Sequence, residues 1–148
     1  VSFSTGHEPS FRGTQPPRHS GIGPLLPRWL EGISLSTIPH MLIDARGCSG
    51  PLNDLEVIQD AMMQAAHAVG AEVVGKAECR YVPHGVTAVL FLAESHILVS
   101  TWPEHNTALL DVLLCNDAMD PNQAADVLLV ALGAASDTRT VVSRVVDD

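Results

Sequence analysis

From Pro39 onward the chain is a series of short apolar runs whose internal spacing alternates between that of strands and that of helices. Two of these runs lie almost end to end. Val86 to Ala93 (VTAVLFLA) and Ile97 to Trp102 flank the polar triplet Glu94-Ser95-His96. Continuous, β-branched runs of this length predict neighbouring buried strands. The triplet has two readings. It is a polar turn closing a hairpin, or a group facing a cavity, because polar side chains buried at a strand junction need partners.

The remaining pattern supplies the other elements. His40 to Arg46 reads as a strand closed by Gly47, and a loop with Gly50-Pro51 follows. Asn53, with Glu56 three residues on, predicts a capping box. The helix behind it carries Leu55, Ile58, Met62, Ala65 and Val69 on one stripe and stops at Gly70, with His67 off the stripe and facing solvent. Glu72 to Tyr81 is a second strand, and Pro83-His84-Gly85 turns the chain. After a turn at Pro103-Glu104-His105-Asn106, Thr107 to Cys115 is a strand apolar on both faces except at Asp111. Asp120-Pro121 opens a second helix, with Gln123 completing the cap and Ala124, Val127, Leu128 and Ala131 among its apolar positions. Thr140 to Val146 is the last strand. The order β-α-β-β-β-β-α-β predicts an α+β fold, a two-layer α/β sandwich with a mainly antiparallel sheet. Two β-α-β units bracket the middle hairpin, a hint of internal duplication.

Composition sets the outer bounds. The first 37 residues are rich in Gly, Pro, Ser and His and are expected to form a flexible N-terminal extension, with Leu25 to Leu30 as its one apolar patch. Residues 38–148 form the folded domain. A chain of 148 residues that is 46% hydrophobic is long enough for one domain with a real core. A formal charge of −9 argues against nucleic acid or an anionic membrane as partner and suits a cationic small ligand. No apolar run reaches membrane-spanning length, and no signal-peptide pattern is found. Cys48, Cys79 and Cys115 are an odd, sparse set without CxxC spacing, which points to reduced thiols in a cytoplasmic protein.

Familiar site chemistries are poorly matched. Glu94-Ser95-His96 is not a GxSxG elbow, and neighbours along a strand point to opposite faces, which disfavours a conventional serine hydrolase. His84, His96, His105, Cys79 and Cys115 lack ligand spacing, so no metal is expected.

Four successive motifs carry a resemblance. Pro83-x-Gly85-Val86-Thr87, Ala93-Glu94-Ser95-His96, Thr101-Trp102-Pro103-Glu104 and Asp111-Val112-x-x-Cys115 resemble the prokaryotic S-adenosylmethionine decarboxylase proenzyme family. His40-x-x-x-Asp44 with Gly47-Cys48 is similar to that family's first strand. The resemblance covers about residues 38–148. It implies a self-processing enzyme cut between Glu94 and Ser95. Ser95 Oγ attacks the Glu94 carbonyl, an ester forms, and β-elimination leaves Ser95 as an N-terminal pyruvoyl group. That cofactor would take the substrate amine as a Schiff base and accept electrons as carbon dioxide leaves. The resemblance further implies that Cys115 protonates the product carbanion and that Thr87 assists processing. By the same likeness Glu104 binds the ribose hydroxyls, Tyr81 stacks on adenine and His96 follows the cleaved serine. It suggests a homodimer of processed chains, with sheets continuing or packing across the two-fold. Outside the resemblance each of these residues has a plainer reading: Cys115 as a small hydrophobe, Glu104 as a solvated turn, Tyr81 as a strand end, Thr87 as an ordinary strand residue.

The chain departs from the family's pattern at Ser100, where the family has a histidine credited with proton transfer late in processing. Serine does not act as a base near neutral pH. Ser100 shares strand parity with His96, Leu98 and Trp102, so it faces the same side, and His84, His96 and His105 are the imidazoles close by. Asn116 replaces the family's usual Gly after the cysteine, a milder change because Asn tolerates positive φ. Three activities follow from the resemblance with this change: S-adenosylmethionine decarboxylation, pyruvoyl-dependent decarboxylation of another amino acid such as arginine or ornithine, and an unprocessed relative that binds without catalysis.

Overall fold

Alternating burial along the four central strands builds one sheet with a covered face and an open face. The computed structural model describes residues 37–146. The extension expected over residues 1–37 lies outside them, apart from Thr37, which opens the first strand. The elements are β1 (Thr37–Arg46), α1 (Leu55–Ala68), β2 (Val73–Arg80), β3 (Val86–Leu92), β4 (His96–Trp102), β5 (Thr107–Leu113), α2 (Pro121–Leu132) and β6 (Ser136–Val145). A single 3-10 turn, Pro103–His105, joins β4 to β5. The expected α+β sandwich with this element order is what forms. The sheet runs β2-β3-β4-β5-β1-β6, and every neighbouring pair is antiparallel. Thus β1, from the first half of the chain, lies between β5 and β6 from the second half.

Both helices lie on one face. Met41, Ile43 and Ala45 of β1, Val86, Ala88 and Leu90 of β3, Ile97 and Val99 of β4, and Ala108, Leu110 and Val112 of β5 point toward them. They meet Leu55, Ile58, Met62 and Ala65 of α1 and Ala124, Leu128 and Leu132 of α2. The stripe anticipated for α1 is therefore the buried one. Among the described residues no helix is long and apolar enough to cross a membrane.

Three local expectations are corrected. Asp54, not Asn53, caps α1: its carboxylate accepts the backbone N–H groups of Glu56 and Val57. Asn53 instead accepts the Gly85 N–H at 2.8 Å, tying the turn before β3 to the α1 loop. At α2 Asp120 opens the helix as expected, but its carboxylate takes the Asn122 backbone and side-chain N–H groups, and the Gln123 side chain does not complete the cap. Strand β6 starts four residues before the expected Thr140. Its early polar stretch pairs with β1 (Arg46 with Ser136, Asp44 with Thr138), and Arg139 reaches Asp126 and Asn122 of α2. Pairing and charged anchoring there outweigh the lack of an apolar run.

One buried polar side chain stitches the layers. Thr101 is 4% exposed, donates to the Leu52 carbonyl at 2.7 Å and accepts the Val86 N–H at 3.0 Å. Thr101→Val keeps the shape but strands both partners. We expect a loss of about 1–3 kcal/mol, read as a lower urea midpoint with an unchanged slope.

The open face is unlike an ordinary solvated sheet face. Strand pairing aligns Leu42, Phe91, Trp102, Leu109 and Val142 on it, all exposed. Large apolar side chains gathered on one face mark a surface made to be covered.

Candidate active site

The sequence-predicted residues fall into two groups at opposite ends of β4, both reached from the open face. Glu94 and Ser95 occupy the turn between β3 and β4, where the Leu92 N–H donates to the Ser95 carbonyl at 3.0 Å and the Ala93 N–H donates to the Glu72 carbonyl. Glu94 is exposed and Ser95 half-buried, so the peptide bond between them lies at the boundary of the packed structure. His96 begins β4 opposite Leu113 of β5. Cys115, half-buried, follows two residues after Leu113, which places it at this same end of the sheet.

His96 has two neighbours that the sequence reading did not assign to the site. His40, across Leu113 on β1, lies with its ring centroid 5.7 Å from that of His96 in an edge-on arrangement. Asp111 joins them, and one ligand-type atom from each of the three lies within 4.8 Å of the others. Three strands supply these residues, so no linear spacing exposes the cluster. The available signals were Asp111 as the one polar break in its strand and His40 within the first-strand motif. Arg144 Nη1 donates to His40 Nδ1 at 3.4 Å, while His40 Nε2 is buried without a partner. Burial and the neighbouring His40 depress the His96 pKa below the ordinary imidazole value, against a smaller opposing pull from Asp111. Both effects favour the neutral form of the imidazole beside Ser95.

A stability consequence follows. The unfolded chain takes a proton on His96 near pH 6.5, and the folded chain resists it until lower pH. The contribution is intact above about pH 6.5 and is lost as pH falls below that value. Thermal melts from about pH 7.5 to 5.5 are expected to fall less steeply for His96→Gln than for the parent chain.

The second group lies at the far end of β4. Thr87 pairs with Ser100, their hydroxyl oxygens are 2.7 Å apart, and Tyr81 Oη donates to Thr87 Oγ1 at 3.3 Å. If Tyr81 donates to Thr87 and Thr87 to Ser100, the Ser100 proton is left to point outward. Tyr81, His84, Ser100, Trp102 and Glu104 line a cavity of about 330 Å³. Within it His84 Nε2 lies 3.0 Å from Glu104 Oε2. Gly85 makes this turn possible: its φ is +101°, and a Cβ there would press on the Thr101 carbonyl at 3.1 Å.

Within one chain the two groups lie apart. Five residue steps along β4 separate Ser95 from Ser100, roughly 16 Å of extended strand. The candidate residues thus gather as Glu94, Ser95, His96 and Cys115 at one end of β4 and Tyr81, Thr87, Ser100 and Glu104 at the other.

Comparison with known proteins gives the same family throughout. The family model described as S-adenosylmethionine decarboxylase matches residues 39–145. The S-adenosylmethionine decarboxylase proenzyme of Caldanaerobacter subterraneus subsp. tengcongensis is 41% identical over 106 residues, covering 71% of this chain and 86% of that protein. The S-adenosylmethionine decarboxylase proenzyme 2 of Halalkalibacterium halodurans is 37% identical over 98 residues, 66% of this chain and 77% of that one. The crystal structure of the adenosylmethionine decarboxylase from Aquifex aeolicus aligns with a TM-score of 0.69 and 27% identity, over 76% of this chain and 94% of that one.

Proposed function

This chain belongs to the S-adenosylmethionine decarboxylase family, and from that membership we propose that it processes itself between Glu94 and Ser95. The protein is a proenzyme that becomes a pyruvoyl-dependent carboxy-lyase acting on S-adenosylmethionine, a step of polyamine biosynthesis. The observation that carries the residue assignment is the placement of Glu94-Ser95 in the β3–β4 turn, just before His96 opens β4, at the boundary between exposed and packed chain.

The turn suits the chemistry. Ser95 Oγ adds to the Glu94 carbonyl carbon, the C–N bond breaks, and the Ser95 nitrogen leaves as an amine. Removal of the Ser95 Hα then expels the Glu94 carboxylate from Cβ. Tautomerisation and addition of water release ammonia and leave a ketone. The new group occupies the space of Ser95 itself, with its amide carbonyl already held by the Leu92 N–H, so it fits without added room. That group supplies an electrophile for the substrate amine and a sink for the electrons left by carbon dioxide. Cys115 delivers the proton to the product carbon. Thr87 and Ser100 act as hydroxyl donors toward the oxyanion of the first step. Glu104 accepts the ribose hydroxyls, and Tyr81 stacks on the adenine.

The separation of the half-sites supports the homodimer. In a two-fold assembly each contact occurs twice, so the Ser95 end of one copy meets the Ser100 end of its partner and both sites are completed together. The apolar open face is the surface such packing would cover. Cys48, Cys79 and Cys115 are all free thiols, in keeping with a cytoplasmic location.

Intact mass before and after hydroxylamine tests the reading, followed by release of carbon dioxide from S-adenosylmethionine with arginine and ornithine as competitors. Two fragments split at Glu94, the second blocked by pyruvoyl, are the expected result. A single chain inert to hydroxylamine would overturn it.

A further inference from the structure

Every step of processing needs a proton carrier, and the elimination step needs a base for the Ser95 Hα. Hydroxyl groups do not serve near neutral pH, so neither Ser100 nor Thr87 can take that proton. The cavity that Ser100 lines holds two groups of suitable chemistry, His84 and Glu104, and these are paired at 3.0 Å. An imidazole held by a carboxylate is the arrangement that fixes the ring and stabilises it once protonated. The other two imidazoles considered from sequence are placed less well. His105 is exposed on the 3-10 turn and does not line this cavity. His96 packs edge-on against His40 and sits at the far end of β4 from this cavity.

We propose that His84, oriented by Glu104, is the general base of the elimination step, acting across the two-fold on Ser95 of the partner copy. The inference rests on the proposed self-processing and composite site and adds the residue that completes them. It explains how a chain with Ser100 retains a proton acceptor: the imidazole comes from the Pro83-His84-Gly85 turn instead of from β4. The turn is well suited to hold it, since Asn53 clamps the Gly85 N–H and the Tyr81 N–H donates to the Gly85 carbonyl at 2.8 Å. It also gives Glu104 two duties in sequence. The carboxylate supports His84 while the chain is being cut and is free for ribose hydroxyls afterwards.

The test is a time course of intact mass, with and without hydroxylamine, on freshly folded parent, His84→Ala and His84→Ala/Ser100→His chains. His84→Ala is expected to slow conversion to pyruvoyl about 100-fold or more. It should accumulate a single-mass species that hydroxylamine splits at Glu94, the signature of a chain stalled at the ester. The added Ser100→His returns an imidazole to the same cavity and is expected to restore cutting, which also shows that the variant folds. His84→Ala cutting at the parent rate would overturn the assignment. So would a His84→Ala block that hydroxylamine does not split, or a double variant that stays stalled. A parent chain that neither cuts nor forms an ester would instead overturn the self-processing assignment on which this one depends.

Discussion

Ser95→Ala is expected to remain one chain with no pyruvoyl group and no measurable decarboxylation. Alanine removes the only atom able to attack the Glu94 carbonyl from within the turn, so neither the ester nor the elimination can occur. The structural cost is small. Ser95 is half-buried, and its backbone carbonyl, which takes the Leu92 N–H, is unchanged. A folded but inactive protein should result, with a melting temperature close to that of the uncut parent. The rate should fall by at least about 10⁶-fold, because without the electrophile little separates the reaction from its uncatalysed course. Intact mass and carbon dioxide release measure the two halves of the prediction. Fragments split at Glu94 in this variant would place the cut under the control of another residue.

Cys115→Ser separates making the enzyme from running it. The residue lies just beyond β5, at the Ser95 end of the sheet, and is absent from the Tyr81–Glu104 cavity. Processing should therefore proceed to two fragments. Turnover per pyruvoyl group should fall by roughly 10²-fold or more, because a serine hydroxyl is a much weaker acid than a thiol and proton delivery to the product carbon would fail. The substrate concentration for half-maximal rate should change little, since Glu104 and Tyr81, the residues proposed to hold ribose and adenine, lie at the other end of β4. A variant that fails to cut would assign Cys115 to processing instead.

Much of this was legible in the linear chain. The strand and helix periods located all eight elements, and the four motifs pointed to the family and supplied the candidate site residues. What the chain did not display depends on strands meeting across the sheet. Nothing in the spacing of His40, His96 and Asp111 joins them; the register of β1, β4 and β5 does. The Asn53 capping prediction failed because Asp54 sits one residue closer to the helix, where its carboxylate reaches two N–H groups, while Asn53 is claimed by Gly85. Strand β6 was read too short because its start is polar and is held by pairing with β1 and by Arg139. The division of the site into two ends was also hidden, since Glu94 and Glu104 are near in sequence but separated by a fully extended strand.

The position of β1 between β5 and β6 has a consequence for the fate of the cut protein. Severing Glu94 from Ser95 gives one piece with β1, α1, β2 and β3 and another with β4, β5, α2 and β6. These pieces interlock: β1 of the first is gripped on both edges by the second, and β3 of the first zips along β4 of the second. Neither can leave without stripping all three ladders, so the mature protein behaves as one body although it is two polymers. Its assembly, however, has a direction in time. The uncut chain folds as a single molecule, with the two parts tethered at high effective concentration. Once cut and denatured, they must find each other by diffusion and thread β1 back between its neighbours. The peptide bond is thus needed to build the structure and not to keep it, and a processed sample that is unfolded should recover far less completely than the proenzyme.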